Sequence, residues 1–257
     1  MMRNLINAEW FKLLKSNVFI WLLVFNGMTV LSTAFLLIIR FNYGFNGVAG
    51  NGCDMYTISM SYVLHHTLVG YVLTSVFLCG DFSNRVFGIS LLSGYTRSKI
   101  LLAKVIVLLI GLVCLFIEYV TLTTAVVTIG SGGFGVEINT DILKEMILLM
   151  LCGITGCIAS GSFMVLMAVV FKKPVRTIVI GMVLMYIVGQ TENLTRDNPP
   201  FFLKYIYQSQ MNNIRWLGDA RGSLKEFSPG MCLAVMAVTF IISMVVAVYA
   251  FNRAELK

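Results

Sequence analysis

The stretch GDFSNRVFGISLLSGYTRSKILLAK, residues 80–104, separates two long apolar runs and carries an unusual share of the chain's few charges. It is far longer than a simple connection between two helices needs to be. Its first part is amphipathic: Phe82 and Phe87 belong to an apolar side, and Asp81 stands where a helix N-terminus favours an acid. Gly94 interrupts this pattern before a basic stretch. We therefore predict a helix, a turn and a second helix, the first covered either by a partner or by lipid.

Composition places the chain among membrane proteins. Of its 257 residues, 58% are hydrophobic and only 12% are charged, and the mean hydropathy is +0.86. Soluble domains carry about 25% charged residues. A helix satisfies its own backbone hydrogen bonds in lipid, whereas an open strand does not. We predict an all-α integral membrane protein that forms a single transmembrane domain over residues 1–257.

Six apolar runs are candidates for membrane spans, since a span needs roughly 20 apolar residues. The fifth run is short for a full crossing. The connection that follows it, 189–230, contains two adjacent prolines and then aromatic residues. That pattern favours short helices at, or dipping into, the outer interface, and a solvated loop is the alternative. The six runs cover approximately residues 18–39, 58–79, 105–129, 146–171, 177–188 and 231–251.

The distribution of Lys and Arg predicts the orientation. The two termini, the 80–104 stretch and the 172–176 turn together hold twelve cations and three acids. The other loops, with Arg40 included, hold seven cations and eight acids. Because cations are enriched in cytoplasmic loops, we expect both termini and the 80–104 stretch in the cytoplasm. The same bias accounts for much of the net charge of +7, so the charge indicates no nucleic-acid partner.

Residues 2–16 precede the first long run and predict an amphipathic helix that lies in the membrane interface. Its cations fall between the apolar positions and can reach head groups. The basic region of a signal peptide is the alternative, but the following run is too long and lacks a small-residue cleavage site. The apolar stripe of this helix contains Leu5, Ile6, Trp10, Leu13 and Leu14.

Three ionisable residues, His65, His66 and Glu118, lie inside apolar runs, where charges are costly and usually face protein or a water-filled cavity. At a rise of about 1.5 Å per residue, His65 and Glu118 both lie roughly 20 Å from the cytoplasmic ends of consecutive spans. This common depth makes a His–Glu pair in the outer half of the membrane geometrically possible. It would either form a gate on a transport pathway or simply hold the second and third spans together.

Signatures of catalysis are absent from the sequence. It contains no GxxxxGK[ST] for ATP binding, and no HExxH or GxSxG of hydrolases. None of the six cysteines forms a CxxC pair, so neither a disulfide framework nor a metal site is expected. We expect a chain that is not itself an enzyme and holds no cofactor.

Short motifs in the 80–104 stretch resemble those of the membrane subunits of type-2 ABC exporters. Such subunits carry an acidic-Phe-x-Asn stretch, LLS, a turn residue, Ser/Thr-Arg-x-Lys and Ala-Lys. Here these read DFSN at 81–84, LLS at 91–93, TRSK at 96–99 and AK at 103–104. The N-terminal AEWFKLLKSNVFIWLL, the six-span plan and the AFNRAELK ending extend the resemblance. Arg85-Val86 and Gly94 depart from the usual Gly-Thr and Pro.

The resemblance implies an exporter of two membrane subunits, identical or different, and two cytoplasmic ATPase subunits that bind ATP and Mg²⁺. Closure of the ATPase pair would push a coupling helix in each membrane subunit and drive alternating access. The 2–16 helix would be the connecting helix, which lies on the membrane beside the ATPase. The coupling helix would consist of Asp81, Phe82, Ser83, Asn84, Arg85, Val86 and Phe87.

Small subunits of this kind resemble those that export, or confer immunity to, membrane-active peptides such as bacteriocins, lantibiotics and phenol-soluble-modulin-type toxins. The expected substrate is therefore a hydrophobic or amphipathic peptide, moved out across a bacterial plasma membrane. Two other hypotheses are open. One is a stand-alone ion-driven carrier, although no internal repeat is visible. The other is a membrane scaffold or immunity protein that transports nothing.

Overall fold

The computed structural model describes residues 2–42, 51–60, 63–84, 86–131, 133–135, 139–194 and 228–253. Regular secondary structure in these ranges is entirely helical. A π-helical turn, Ser75–Cys79, joins the fourth helix to the fifth. The helices are α1 (Met2–Leu14), α2 (Asn17–Asn42), α3 (Gly52–Met60), α4 (Val63–Thr74), α5 (Gly80–Ser83), α6 (Val86–Leu92), α7 (Arg97–Gly130), α8 (Thr140–Phe171), α9 (Pro174–Leu194) and α10 (Pro229–Arg253).

Several of these helices have the length and composition of membrane spans. In the described ranges, α7, α8 and α10 each qualify alone. Two bent pairs would raise the number to five if each pair formed one span. These pairs are α1 with Asn17–Thr33, bent by 54°, and α3 with His65–Ser83, bent by 46°. These helices indicate a membrane protein. Six spans and cytoplasmic termini remain predictions, and Pro174–Val188 is a shorter apolar helix at the position of the predicted fifth span.

Large apolar side chains cover the outside of the bundle. Trp21, Met28, Val179, Ile241 and Val245 each leave at least half of their surface exposed. A soluble monomer rarely exposes so broad an apolar surface. Contact with lipid would cover these side chains, which agrees with the low charge of the sequence.

Helix α7 lies at the centre and contacts α1, α2, α3 and α8. It is continuous over 34 residues, so the predicted basic re-entry and the predicted third span form one helix. No proline or glycine pair interrupts it between Arg97 and Gly130, and the hydrogen-bonded helix therefore runs on from one region to the other.

The connection between the first two predicted spans is shorter than predicted. The second predicted span begins near residue 58, whereas α3 already begins at Gly52. Asn51 accounts for the difference, because its side-chain oxygen accepts a hydrogen bond of 2.9 Å from the backbone N–H of Asp54. The carboxylate of Asp54 in the first turn also complements the helix dipole.

The predicted basic turn between the fourth and fifth spans is very tight. Lys172 ends α8 in a left-handed conformation with φ of 54°, and Pro174 opens α9 at the position where proline suits a helix. Helix α9 then continues to Leu194, beyond the predicted end near 188. Most of the predicted 189–230 connection, including its expected short helices, lies outside the described residues.

Glycines on α8 allow it to approach α7 closely. A Cβ built on Gly153 would lie 2.6 Å from Cζ of Phe116, and one on Gly161 would lie 2.7 Å from Leu109. Phe116 is 1% exposed, so its ring cannot easily move aside. The close contact between α7 and α8 therefore depends on glycine, which has no side chain, at these two positions of α8.

Replacing Gly153 by alanine should lower the free energy of unfolding by about 1–3 kcal/mol, because the added methyl group overpacks the contact with Phe116. Gly27→Ala is the control, since a Cβ there would meet nothing within 4 Å. It should be neutral or slightly stabilising, because alanine favours helix. Equal unfolding midpoints for both variants in the same detergent would contradict the packing argument.

Candidate functional site

The 80–104 stretch folds as two short helices followed by the start of α7. Helices α5 and α6 precede Gly94, whose φ of 84° is a left-handed conformation that glycine adopts without strain. Thr96 is extended at the N-cap of α7. The helix, the turn and the second helix predicted from the sequence are therefore present, with the first helix divided in two.

An ionic cluster, formed by Glu9, Lys12, Asp81 and Lys104, joins α1, α5 and α7. The two oxygens of Asp81 accept separately from Nζ of Lys12 and Nζ of Lys104. Nζ of Lys104 also donates to Oε1 of Glu9 at 2.5 Å. Two ammonium groups thus balance two carboxylates, and three elements that are far apart in sequence are tied together.

The cluster matters for stability because three of its four side chains are buried. The side-chain exposure is 0% for Lys104, 4% for Asp81 and 8% for Glu9, whereas Lys12 is 42% exposed. A buried charge is tolerated only when it is paired, and removing one partner leaves the other charge stranded. Lys104 also lies 5.4 Å from the ring centroid of Phe87, which adds a cation–π contact.

An aromatic anchor of Phe82, Phe87 and Phe251 holds α5 and α6 against the end of α10. The ring centroids are 4.6 Å apart for Phe82 and Phe87, and 5.0 Å apart for Phe87 and Phe251. Phe87 and Phe251 are buried. Nearby, the Arg97 guanidinium donates to the carbonyl of Asn252 at 3.0 Å. The segment is thus fixed to the last helix as well as to α1 and α7.

The structure divides the predicted coupling residues into a buried and an exposed group. Asp81 and Phe87 are buried within the chain and serve as anchors, so in this structure their side chains offer no surface to a partner. Phe82 and Val86 are half-buried, and Ser83 and Asn84 are exposed. Arg85 lies outside the described residues.

Two exposed apolar residues of α6 were not among the predicted contact residues. Ile89 is 63% exposed and Leu92 is 89% exposed. Helical spacing in the sequence could have indicated their exposure. Phe87 points inward, and residues two and five positions further along a helix face other sides.

The apolar stripe of α1 packs on the protein and not on lipid. Leu5 and Leu13 are buried, and Leu13 reaches the glycine surface of α7 at Gly111. Ile6 and Trp10 pack against the same core. Leu14, the remaining member of the predicted stripe, is 47% exposed. The expected lipid-facing stripe is therefore an intramolecular contact, because α7 offers it a matching apolar surface.

A polar chain crosses the interior between α4, α2 and α7. Nε2–H of His65 donates to Oδ1 of Asn26 at 2.9 Å, and Nδ2 of Asn26 donates to Glu118 Oε2 at 3.2 Å. Nδ2 also donates to the Leu115 carbonyl at 3.1 Å. The sequence placed His65 and Glu118 at the same depth. In the structure, Asn26 links the two side chains, and Asn26 is 1% exposed. Sequence reasoning missed Asn26 because only ionisable residues were sought within the apolar runs.

His66 lies beside this chain with a different partner. Its Nε2 is 3.3 Å from the carbonyl oxygen of Ser59, and its ring lies 4.9 Å from Phe116 and 5.2 Å from Tyr119. The ring of His65 stacks on Tyr119 at 4.4 Å. The two histidines therefore belong to one aromatic group, but only His65 takes part in the hydrogen-bonded bridge to Glu118.

Metal-binding geometry is not found in the part of the chain that the structure describes: no three His, Cys, Asp or Glu side chains lie together there. The six cysteines are free. Comparison of the chain with protein-family models and with curated proteins gives no match. The similarity to type-2 exporters thus rests on the features of the sequence described above, and no comparison adds to it.

Replacing Lys104 by methionine should destabilise the protein by about 3–5 kcal/mol, because Glu9 would lose its ion-pair partner and Asp81 would keep only the half-exposed Lys12. Lys144→Met is the matched control. Its ion pair with Asp141 is exposed, so its loss should cost less than about 1 kcal/mol. Adding Asp81→Asn to Lys104→Met should restore part of the stability by removing one stranded carboxylate. Thermal unfolding in detergent measures all three, and equal effects of the two lysine variants would refute the role of the cluster.

Asn26→Leu should lower stability by about 1–2 kcal/mol, because it leaves both His65 and Glu118 without the bridging amide. Glu118→Gln retains an acceptor for Asn26 and removes a charge, so it should be tolerated. The unfolding midpoints of the two variants test this order. A larger loss in Glu118→Gln than in Asn26→Leu would show that the carboxylate charge, and not the bridge, matters.

Proposed function

We propose that this chain is the membrane subunit of an ATP-driven exporter, and that a separate cytoplasmic ATPase supplies the energy. The observation that carries the proposal is the double fixation of the 80–92 segment. Asp81 is held by Lys12 and Lys104, and Phe87 is held by the aromatic anchor. A segment fixed in this way moves together with α1, α7 and α10. A push on its outer face would therefore pass directly to helices of the bundle.

The outer face of the segment supplies a surface for such a partner. Ser83 and Asn84 give it polar groups, and Ile89 and Leu92 give it exposed apolar area. By the charge bias of the loops, this face lies in the cytoplasm, where an exposed leucine is normally covered by another protein. The buried anchors position the segment, and the exposed residues make the contact.

The proposed assembly has two membrane subunits and two ATPase subunits in a bacterial plasma membrane. ATP and Mg²⁺ bind in the ATPase pair, since the sequence of this chain has no nucleotide motif. The cargo is an amphipathic peptide. Fifteen methionines and eighteen phenylalanines favour this class, because such side chains adapt to apolar ligands of varied shape.

An ion-driven carrier is the second candidate, favoured by the chain from His65 through Asn26 to Glu118. Ionisable groups inside a membrane domain often belong to proton relays. The two functions differ in their energy source. Transport by reconstituted chain that follows a proton or sodium gradient without ATP would support the carrier, and transport that requires an ATPase and ATP would exclude it. If neither drives transport, a scaffold or immunity role is favoured.

Coexpression with an ATPase encoded by a neighbouring gene tests the proposed contact. The double variant Ile89→Ser and Leu92→Ser should weaken copurification and lower ATPase activity by at least about ten-fold, because both side chains lie at the centre of the proposed interface. The control is Ile129→Ser, which alters a residue with 82% exposure near the other end of α7. Full copurification and activity in the double variant would contradict this contact surface.

A further inference from the structure

A groove of about 370 Å³ runs between α2 and α7 on the surface of the bundle. Its lining residues are all apolar, and Val24, Leu31 and Leu122 among them leave a large part of their surface exposed. The volume lies within the range of small-ligand sites, about 300–1,000 Å³. Gly27 also lines the groove, and a Cβ built on it would meet nothing within 4 Å. The groove is therefore open enough to receive an apolar ligand.

Glu118 lies beside one end of this groove. Leu122 and Val126 follow it at four-residue intervals, so the three side chains lie along one face of α7. On α2, Asn26 donates to Oε2 of Glu118 at 3.2 Å and is followed directly by Gly27, which lines the groove. A carboxylate is thus one helical turn away from the apolar lining.

The carboxylate of Glu118 can still accept a further hydrogen bond. The side chain is half-buried, and among the described residues it forms no salt bridge and its Oε1 accepts no hydrogen bond. Along α7 it lies roughly 20 Å from Lys104 and a similar distance from Gly130, near the middle of the predicted third span. An ionisable group at such a depth usually has a charged partner, and the neutral amide of Asn26 does not balance its charge.

The chain itself brings no cation to this depth. None of the six apolar runs contains Lys or Arg, so a second copy packed on the groove would add apolar surface without positive charge. The ammonium group of a phospholipid is held at the membrane surface and is joined to a phosphate, for which the described lining offers no cation. A molecule with one ammonium group and one apolar tail matches both the carboxylate and the groove.

We propose that the groove and Glu118 form a binding site for a lipophilic ammonium ion, meaning a molecule with one primary ammonium group and one apolar tail. The ammonium group donates to Oε1 of Glu118, and the tail lies along the groove beside Gly27 and Leu122. Charge-assisted hydrogen bonds are stronger than neutral ones, and apolar surroundings strengthen the attraction. The site belongs to this chain alone, so the proposal depends neither on an ATPase nor on transport.

Photolabelling of the full chain in phosphatidylcholine vesicles tests the site. The probes are a long-chain primary alkylamine and the matching alkyl alcohol, which carry the same photoreactive diazirine in the tail. Mass spectrometry then locates the labelled residues. At equal concentration in the membrane, the amine should label the peptides around Gly27 and Leu122 about ten-fold more than the alcohol, because only the amine is charged. Equal labelling by the two probes would overturn the proposal.

Two variants separate the charge from the groove. Glu118→Gln should lower labelling by the amine to the level of the alcohol, whereas Glu145→Gln, at an exposed acid of α8, should leave the preference unchanged. Gly27→Leu should reduce the labelling of Leu122 by both probes, because its side chain would occupy the open space of the groove. A preference for the amine that persists in Glu118→Gln, or full labelling in Gly27→Leu, would contradict the proposed site.

Lipid composition distinguishes a free amine from a phospholipid. Exchanging part of the phosphatidylcholine for phosphatidylethanolamine supplies a lipid with a primary ammonium group. Labelling by the alkylamine should persist, since that lipid group stays at the surface with its phosphate. Loss of labelling would show that the lipid occupies the site and would overturn the assignment to a free amine. So would the absence of labelling by either probe, which is the result expected if a second copy covers the groove.

Discussion

The buried ammonium group of Lys104 is the constraint on which the arrangement of α1, α5 and α7 depends. It is fully buried, and Asp81 and Glu9 both face it as ion-pair partners. Those two carboxylates come from different elements, so satisfying one charge places α1 and α5 on α7 at once. The aromatic anchor at Phe251 then adds α10 to the same unit. Lys104 thus relates the short segment to α1 and α7, and the aromatic anchor relates it to α10.

This arrangement separates two roles within the segment. Asp81 and Phe87 position it from inside, and the side chains around Leu92 meet whatever lies outside. Positioning by buried charges is directional, because a carboxylate must stay within hydrogen-bond distance of its partner. Apolar contact alone would allow the short helices to slide. A segment that transmits force must keep its position under load. The ion pairs of Asp81 are suited to that requirement, which agrees with the proposed function.

The sequence predicted those features that arise from local pattern. The long helices α7, α8 and α10 follow from uninterrupted apolar runs, and the turn at Gly94 follows from a break in periodicity. Contacts between distant residues were not visible in the same way. The motif drew attention to Asp81 as a surface residue, yet its burial depends on Lys12 and Lys104, which no local pattern relates to it. Asn26 was missed because one amide within an apolar run carries no charge to mark it.

Hydrogen exchange of the full chain tests most directly whether the ionic cluster makes these elements one unit. Native-state exchange reports which parts of a protein open together. In Lys104→Met, the amides of Met2–Leu14 and Val86–Leu92 should exchange faster by a similar factor, while those of α8 near Gly153 remain protected. Faster exchange in only one of the two segments, or in neither, would contradict the account.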